Sequence, residues 1–366
     1  MYSLVRPLLF ALDPERSHDL TMTLLRDAWR LPGISATARR LYAQRTPSLP
    51  VEAMGLRFPN PLGLAAGLDK EARCLAPLFD FGFGFLELGT VTPQAQAGNP
   101  KPRLFRLTQY GALINRMGFN SSGLDRFLAN LAAQPRRGLI GINLGKNKTT
   151  PDSEAISDYR IGLRAVYAHA DYITLNISSP NTPGLRALQA ETALAALLAA
   201  IKQEQALLNQ KHARHVPIAL KIAPDLDDNS IDAIAELVLA HRLEAVIATN
   251  TTLARPGLDH ARFAQETGGL SGVPLRPLST QIIRRLHARL QGRVAIIGVG
   301  GIAGADDAWE KLVAGADLLQ LYTAFIYQGP GIIPSIVRGL AEKLRLYGVS
   351  TLVEAVKCAR ATHRDS

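Results

Sequence analysis

The chain has 366 residues, 47% of them hydrophobic and 20% charged, which is ordinary globular composition and long enough to bury about three quarters of its surface around one large core. Its net charge of +10 comes from scattered lysines and arginines with no basic block and no interleaved aromatic platform, which argues against nucleic acid and for small anions and a membrane surface. Two distant cysteines, Cys74 and Cys358, provide neither a disulfide framework nor zinc-type spacing, as expected of a reducing compartment.

The first 45 residues read differently from the rest. Leu4, Leu8 and Leu12 recur every four residues, as do Val5 and Leu9; after "DPERSHD" the pattern resumes with Leu20, Leu24 and Ala28 beside Leu25 and Trp29. This predicts two short amphipathic helices with a break at Asp13-Pro14. Seven arginines against four acids give the segment +3. Such helices either pack on the main domain or lie in a bilayer interface, framing an entry for a lipid-soluble substrate. In the second case apolar insertion at ~1.5–3 kcal/mol per Leu outweighs charge at ~1 kcal/mol per basic residue. No run approaches the ~20 apolar residues of a membrane span. The first apolar run, Pro7 to Leu12, is too short for a secretory core. The chain is therefore expected on the cytoplasmic side of the cell membrane, as a peripheral protein.

Residues 46–366 are expected to form one α/β unit. Apolar, β-rich runs appear at 62–66, 83–89, 139–145, 172–177, 216–222, 243–250, 293–300 and 317–322, separated by helical patterns such as "IDAIAELVLAHRL". Eight such strands, each followed by a helix, predict a (β/α)₈ TIM barrel. Two connections, 91–121 and 251–275, are long enough to suggest a functional task. The final stretch, "RATHRDS", reads as a loose tail.

A barrel gathers its chemistry where strands end. Those positions hold Ala66, Gly67 and Lys70; Thr90; Asn143; Asn176; Lys221; Thr249, Asn250 and Thr251; Gly300 and Gly301; Tyr322 and Thr323. Polar or small residues at all eight strand ends exceed what turns need and indicate one pocket. "GVGGIAGADD" fits a dinucleotide fingerprint through Gly298, Gly300 and Ala303, but the acidic residue expected about twenty positions on is replaced by Tyr322 and Thr323. After strands seven and eight of a barrel, the better reading is a phosphate cradle. None of the eight histidines falls at a strand end, and no His/Asp/Glu cluster converges on the pocket, so neither a serine-hydrolase triad nor a metal centre is supported. Two lysines, several amides and the hydroxyls of Ser178 and Ser179 suit a flat polar heterocycle and an organic cofactor that carries the chemistry. A Schiff-base lyase built on Lys221 is the alternative.

The segments "NPLGLAAGLDK", "LINRMGFN", "GINLGKNK", "NISSPNTPGLR", "LKIAPDL", "IATNTT", "GGLSG", "IIGVGGI" and "QLYTAFIY" together resemble the membrane-associated, quinone-dependent class of dihydroorotate dehydrogenases, over about residues 4–340. The resemblance implies oxidation of dihydroorotate to orotate in pyrimidine biosynthesis, with FMN as hydride acceptor and a membrane quinone as final electron acceptor. It implies FMN contacts from Ala66, Gly67, Lys70, Thr90, Asn143, Asn176, Lys221, Thr249, Gly272, Gly301, Tyr322 and Thr323. Substrate contacts would come from Lys70, Asn115, Arg116, Met117, Gly118, Phe119, Asn176, Asn181, Asn250 and Thr251. Ser179 matches the catalytic base, in a loop stiffened by Pro180 and Pro183, with Thr182 placed to help relay the proton. Ser178 reads as a structural cap. His18, Arg106 and Tyr322 would line a quinone path, although His18 equally suits an ordinary surface position. A monomer is expected, and nucleic acid is not an expected partner.

Overall fold

The computed structural model describes residues 2–362. Eight parallel strands close into a barrel: β1 (Leu62–Leu64), β2 (Phe85–Val91), β3 (Leu139–Leu144), β4 (Tyr172–Asn176), β5 (Ile218–Ile222), β6 (Ala245–Ala248), β7 (Ala295–Val299) and β8 (Leu318–Leu321). Each pairs with its sequence neighbours, and β8 closes on β1 through Leu319↔Leu62 to Leu321↔Leu64. These strands are buried on both faces, which is why they read as continuous apolar runs rather than alternating ones. An antiparallel pair, Val51–Ala53 and Leu56–Phe58, sits at the N-terminal ends of the strands. Its fully buried Phe58 packs edge-on against Phe85, the first residue of β2.

The two long connections meet. Ala112–Asn115, from the β2–β3 connection, pairs antiparallel on one side with Leu104–Leu107 of the same connection and on the other with Gly269–Gly272 of the β6–β7 connection. This three-stranded sheet has its own small core of Phe105, Leu107, Ala112, Ile114, Leu258, Ala264 and Leu270. It places Asn115 and Gly272 beside the C-terminal ends of the barrel strands.

The N-terminal segment forms the two expected helices, α1 (Tyr2–Ala11) and α2 (Pro14–Ala28), separated at Asp13. Asp13 caps α2 by accepting from the amides of Glu15 and Arg16 at 3.0 Å, and Pro14 fits the first helical position. A third helix, Ile34–Leu41, is an addition to the expectation: at eight residues it is too short for Ile34, Ala38 and Leu41 to establish a repeat in the sequence. The tail also departs from expectation. Leu352–Thr362 is a helix, and Arg360 donates to the carbonyls of Leu312 and Val313 at 2.7 and 2.9 Å. His363 and the residues after it lie outside the described residues.

Candidate active site

One cavity of ≈ 560 Å³ opens at the C-terminal ends of the strands, within the ~300–1,000 Å³ usual for small-molecule sites. Ala66, Gly67, Lys70, Thr90, Asn176, Ser179, Lys221, Thr249, Asn250, Thr251, Gly300, Gly301, Tyr322 and Thr323 all line it, although they come from seven different strand ends. Asn115, Met117, Gly118, Phe119, Asn181 and Gly272 join them from the connecting segments.

The floor is a hydrogen-bonded polar layer inside the barrel. Glu87, fully buried on β2, accepts from Asn143 Nδ2 at 2.8 Å, from Gln320 Nε2 at 2.7 Å and from the Tyr172 hydroxyl at 3.0 Å. Asn143 Oδ1 in turn accepts from the Thr90 hydroxyl at 2.5 Å and from Asn176 Nδ2 at 3.1 Å. Asn176 Oδ1 accepts from Ser178 Oγ at 3.1 Å and from Asn250 Nδ2 at 3.3 Å. Burial and the neighbouring Glu87 charge push the Tyr172 phenol well above its usual pKa, so it stays protonated, donating to Glu87 while accepting from Gln320 Nε2 at 3.3 Å. Asn143 therefore does not touch the cavity; it holds Thr90 and Asn176, which do.

Two lysines stand above this layer. Lys221 is 5% exposed and has no hydrogen-bond acceptor among the described residues. Burial lowers its pKa while the charge of Glu87 partly restores it. Lys70 donates to Asn120 Oδ1, and burial followed by repulsion from Arg103 lowers its pKa to about 8. Both amines are poised to gain from an anionic group, because among the described residues neither has a carboxylate within ion-pair distance.

The segment 176–186 folds over the cavity and is tied at both ends. Arg186 donates to the Ser178 carbonyl at 3.2 Å and the Thr251 carbonyl at 3.0 Å, and pairs with Asp225 at 2.8 Å. Ser178 is fully buried and held by Asn176 and Asn250, as a structural residue should be. Ser179 lines the cavity at 6% exposure, its Oγ accepting from the Asn181 amide at 3.2 Å. The Thr182 hydroxyl is buried with no hydrogen-bond partner among the described residues. Asn181 Nδ2 donates to the Asn115 carbonyl at 3.1 Å, joining this segment to the small sheet.

After β7 the backbone forms an open cradle. Gly300 and Gly301 have φ of +111° and +78°, and a Cβ on Gly301 would lie 2.4–2.6 Å from Arg276. Only glycine fits there. Neither amide has an acceptor among the described residues, so the loop presents two free donors on the same cavity as Thr323, the first residue of the Thr323–Gln328 helix.

The same cavity runs on between α1 and α2, along Val5, Leu9, Phe10, His18, Met22 and Leu25. Arg106 stands at the junction. It donates to the carbonyls of Leu9, Phe10 and Leu12 at 3.3, 3.1 and 2.8 Å and stacks 4.6 Å from the Phe10 ring. His18 faces the cavity rather than bulk solvent. Burial, reinforced by the Lys70 charge, lowers its pKa to about 4, leaving a neutral ring. Outside, Leu4, Leu8, Leu12, Leu20, Leu24 and Leu31 are exposed.

Besides Asn143, Arg116 is the named residue that stands off the cavity. Its guanidinium turns away from the cavity to pair with Glu266 at 2.6 Å and stack on Phe105 at 4.7 Å. The sequence reading also missed Glu87 and Gln320. Their signal was present, since each is a lone polar residue inside an otherwise apolar strand, "FLELG" and "DLLQLY". Asn120, which bonds Lys70, lies in an irregular connection, and Ser271, which bonds Thr323, lies in the four-residue Gly269–Gly272 strand, too short to carry a clear period.

Fold and pocket together define a (β/α)₈ barrel enzyme with a polar site at its strand ends, continuous with a channel between two N-terminal helices. Residues 48–344 match the family described as dihydroorotate dehydrogenase. The chain is 54% identical to the dihydroorotate dehydrogenase (quinone) of Thiobacillus denitrificans, over 93% of this chain and 100% of that relative. It is 51% identical to that of Delftia acidovorans, over 93% and 98%. Among solved structures, DHODH from Eimeria tenella in complex with ferulenol superposes with a TM-score of 0.86 at 38% identity, covering 94% of this chain and 95% of that one. The chain belongs to the dihydroorotate dehydrogenase family and is a flavin-dependent oxidoreductase of its quinone type.

Proposed function

We infer that the chain oxidises dihydroorotate to orotate at the mouth of its barrel, with FMN as the bound flavin and a membrane quinone as final acceptor. The observation that carries this reading is the single cavity joining the polar strand ends to the apolar channel between α1 and α2. Its residues fit the cofactor. Gly300, Gly301 and Thr323 offer donors for a phosphate monoester, and Lys221 is a buried amine with no partner among the described residues. Ala66, Gly67, Thr90, Asn176, Thr249, Gly272 and Tyr322 would complete the flavin contacts, with Asn143 acting through Thr90 and Asn176. FMN, when bound, supplies the hydride acceptor and passes electrons to the quinone.

The protein's own share is binding and proton removal. Lys70 would receive the substrate carboxylate, and Asn115, Met117, Gly118, Phe119, Asn176, Asn181, Asn250 and Thr251 would hold the ring. Oxidation removes a hydride from one ring carbon and a proton from its neighbour. Ser179 would take the proton at Oγ, with Thr182 as the next hydroxyl. A serine is a weak base in water, so the closed loop matters. The exposed leucines of α1 and α2 would rest in a bilayer interface, with His18, Arg106 and Tyr322 along the quinone path. An anaerobic titration tests the whole reading: dihydroorotate should bleach the flavin, and a quinone should restore its colour. Colour that persists after substrate addition would defeat it, and trapping of substrate on Lys221 by borohydride would favour the lyase instead.

A further inference from the structure

Lys311 belongs to none of the contacts described above. It lies on the Ala305–Ala314 helix, is fully buried, and donates to Ser279 Oγ at 2.6 Å and Thr280 Oγ1 at 2.9 Å. The Ser279 hydroxyl donates onward to the Gly300 carbonyl at 2.9 Å. Lys311 is therefore one hydroxyl away from the open cradle after β7.

A buried ammonium usually has a carboxylate in contact. Here none lies within 4 Å of Lys311 among the described residues. The two nearest acids are engaged elsewhere: Asp307 with Arg276 and the Ala303 amide, Glu310 with Arg276 at 3.6 Å and Arg284 at 3.9 Å. Burial draws the Lys311 pKa down to about 7, with Asp307 and Glu310 opposing and Arg276 and Arg284 reinforcing that shift. The cation is thus costly in the protein alone and would be stabilised by an anion in the cradle.

We propose that Lys311 is a positioning and specificity residue that favours a phosphorylated flavin over an unphosphorylated one, by placing a buried positive charge behind the Gly300–Gly301 loop. The proposal rests on the FMN reading above and adds the source of its phosphate selectivity. Lys311 does not touch the ligand. It acts through Ser279 on the loop and through space on the phosphate charge.

The test compares FMN with riboflavin, which lacks the phosphate, on the full chain freed of its flavin and on its Lys311→Met and Lys311→Gln variants. Flavin fluorescence quenching reads each affinity. The Gln variant keeps a donor for Ser279 and so isolates the charge, and it keeps the test alive if the Met variant fails to fold. Both variants should bind FMN on the order of 10- to 100-fold more weakly while riboflavin affinity changes by less than about twofold. Equal losses for both flavins, or no loss for FMN, would overturn the proposal. A wild-type chain that binds neither flavin would overturn the FMN reading as well, and so separates the two failures.

Discussion

Asn143 Nδ2 lies 2.8 Å from the Glu87 carboxylate, and that donation orients three amides in succession. With its nitrogen committed, Asn143 can present only oxygen to Thr90 and Asn176; Asn176 then presents only oxygen to Ser178 and Asn250. The acceptor and donor pattern facing the cavity is thus set by a carboxylate beneath it.

Glu87→Gln tests that dependence. All three partners of Glu87 donate to it, so a glutamine must aim its own NH₂ at a donor. A loss of about 1–3 kcal/mol in stability is expected from one broken buried contact. Flavin retention should weaken alongside, as Asn143 gains freedom to turn. Chemical denaturation and flavin release would read the two effects; a variant as stable and as yellow as the parent would refute the orienting role.

Ser179→Ala should keep the flavin and lower its reduction by dihydroorotate by ~10²–10⁴, or about 3–5 kcal/mol of barrier. The side chain touches the cavity while its neighbour Ser178 does not, so Ser178→Ala should show the opposite pattern: modest rate loss with reduced stability. Stopped-flow bleaching separates them. Equal rates for Ser179→Ala and wild type would remove Ser179 from the proton path.

The barrel and most of its rim were legible because a parallel strand buried on both faces leaves a continuous apolar signature, and any polar residue at its end stands out. Lys221 and Asn176 were found this way. Glu87, Gln320 and Lys311 were missed for a related reason: apolar runs and helical patterns are read by their majority, and a single charge within one looks like noise until its partners are known. Arg116 failed differently. Its sequence neighbours line the cavity, but it lies just past the end of the Ala112–Asn115 strand, where no periodicity fixes a side chain's direction, and it turns out to Glu266.

Lys70 gives a pH dependence with a definite sign. Burial lowers its pKa to about 8, so the free enzyme carries the ammonium below that pH and loses it above. A substrate carboxylate gains only from the charged form. The KM for dihydroorotate should therefore be flat at lower pH and rise by up to about tenfold per pH unit above 8. Lys70→Met should raise KM throughout and abolish the slope. A KM that stays constant from pH 7 to 10 in the parent enzyme would rule out Lys70 as the carboxylate partner.

Truncation can be placed more finely than at residue 45. Trp29 Nε1 and Ser35 Oγ each donate to the buried Asp80 carboxylate at 2.7 Å, and Arg103 pairs with Glu15 at 2.7 Å. Removing residues 1–45 would leave Asp80 with Arg137 as its remaining partner and Arg103 without its carboxylate, at a cost of about 3–5 kcal/mol for the pair broken on one side. α1 is different: none of its residues is buried, and its polar ties are to backbone carbonyls through Tyr2, Arg6 and Arg106. Deleting residues 1–12 should leave the melting temperature within a few degrees of the parent and leave flavin reduction by dihydroorotate unchanged. It should slow reoxidation by a long-chain quinone and weaken binding to lipid vesicles, since Leu4, Leu8 and Leu12 go with it. Vesicle co-sedimentation and quinone kinetics on the same preparation would decide. Unchanged quinone turnover would mean that the channel between α1 and α2 serves some other purpose.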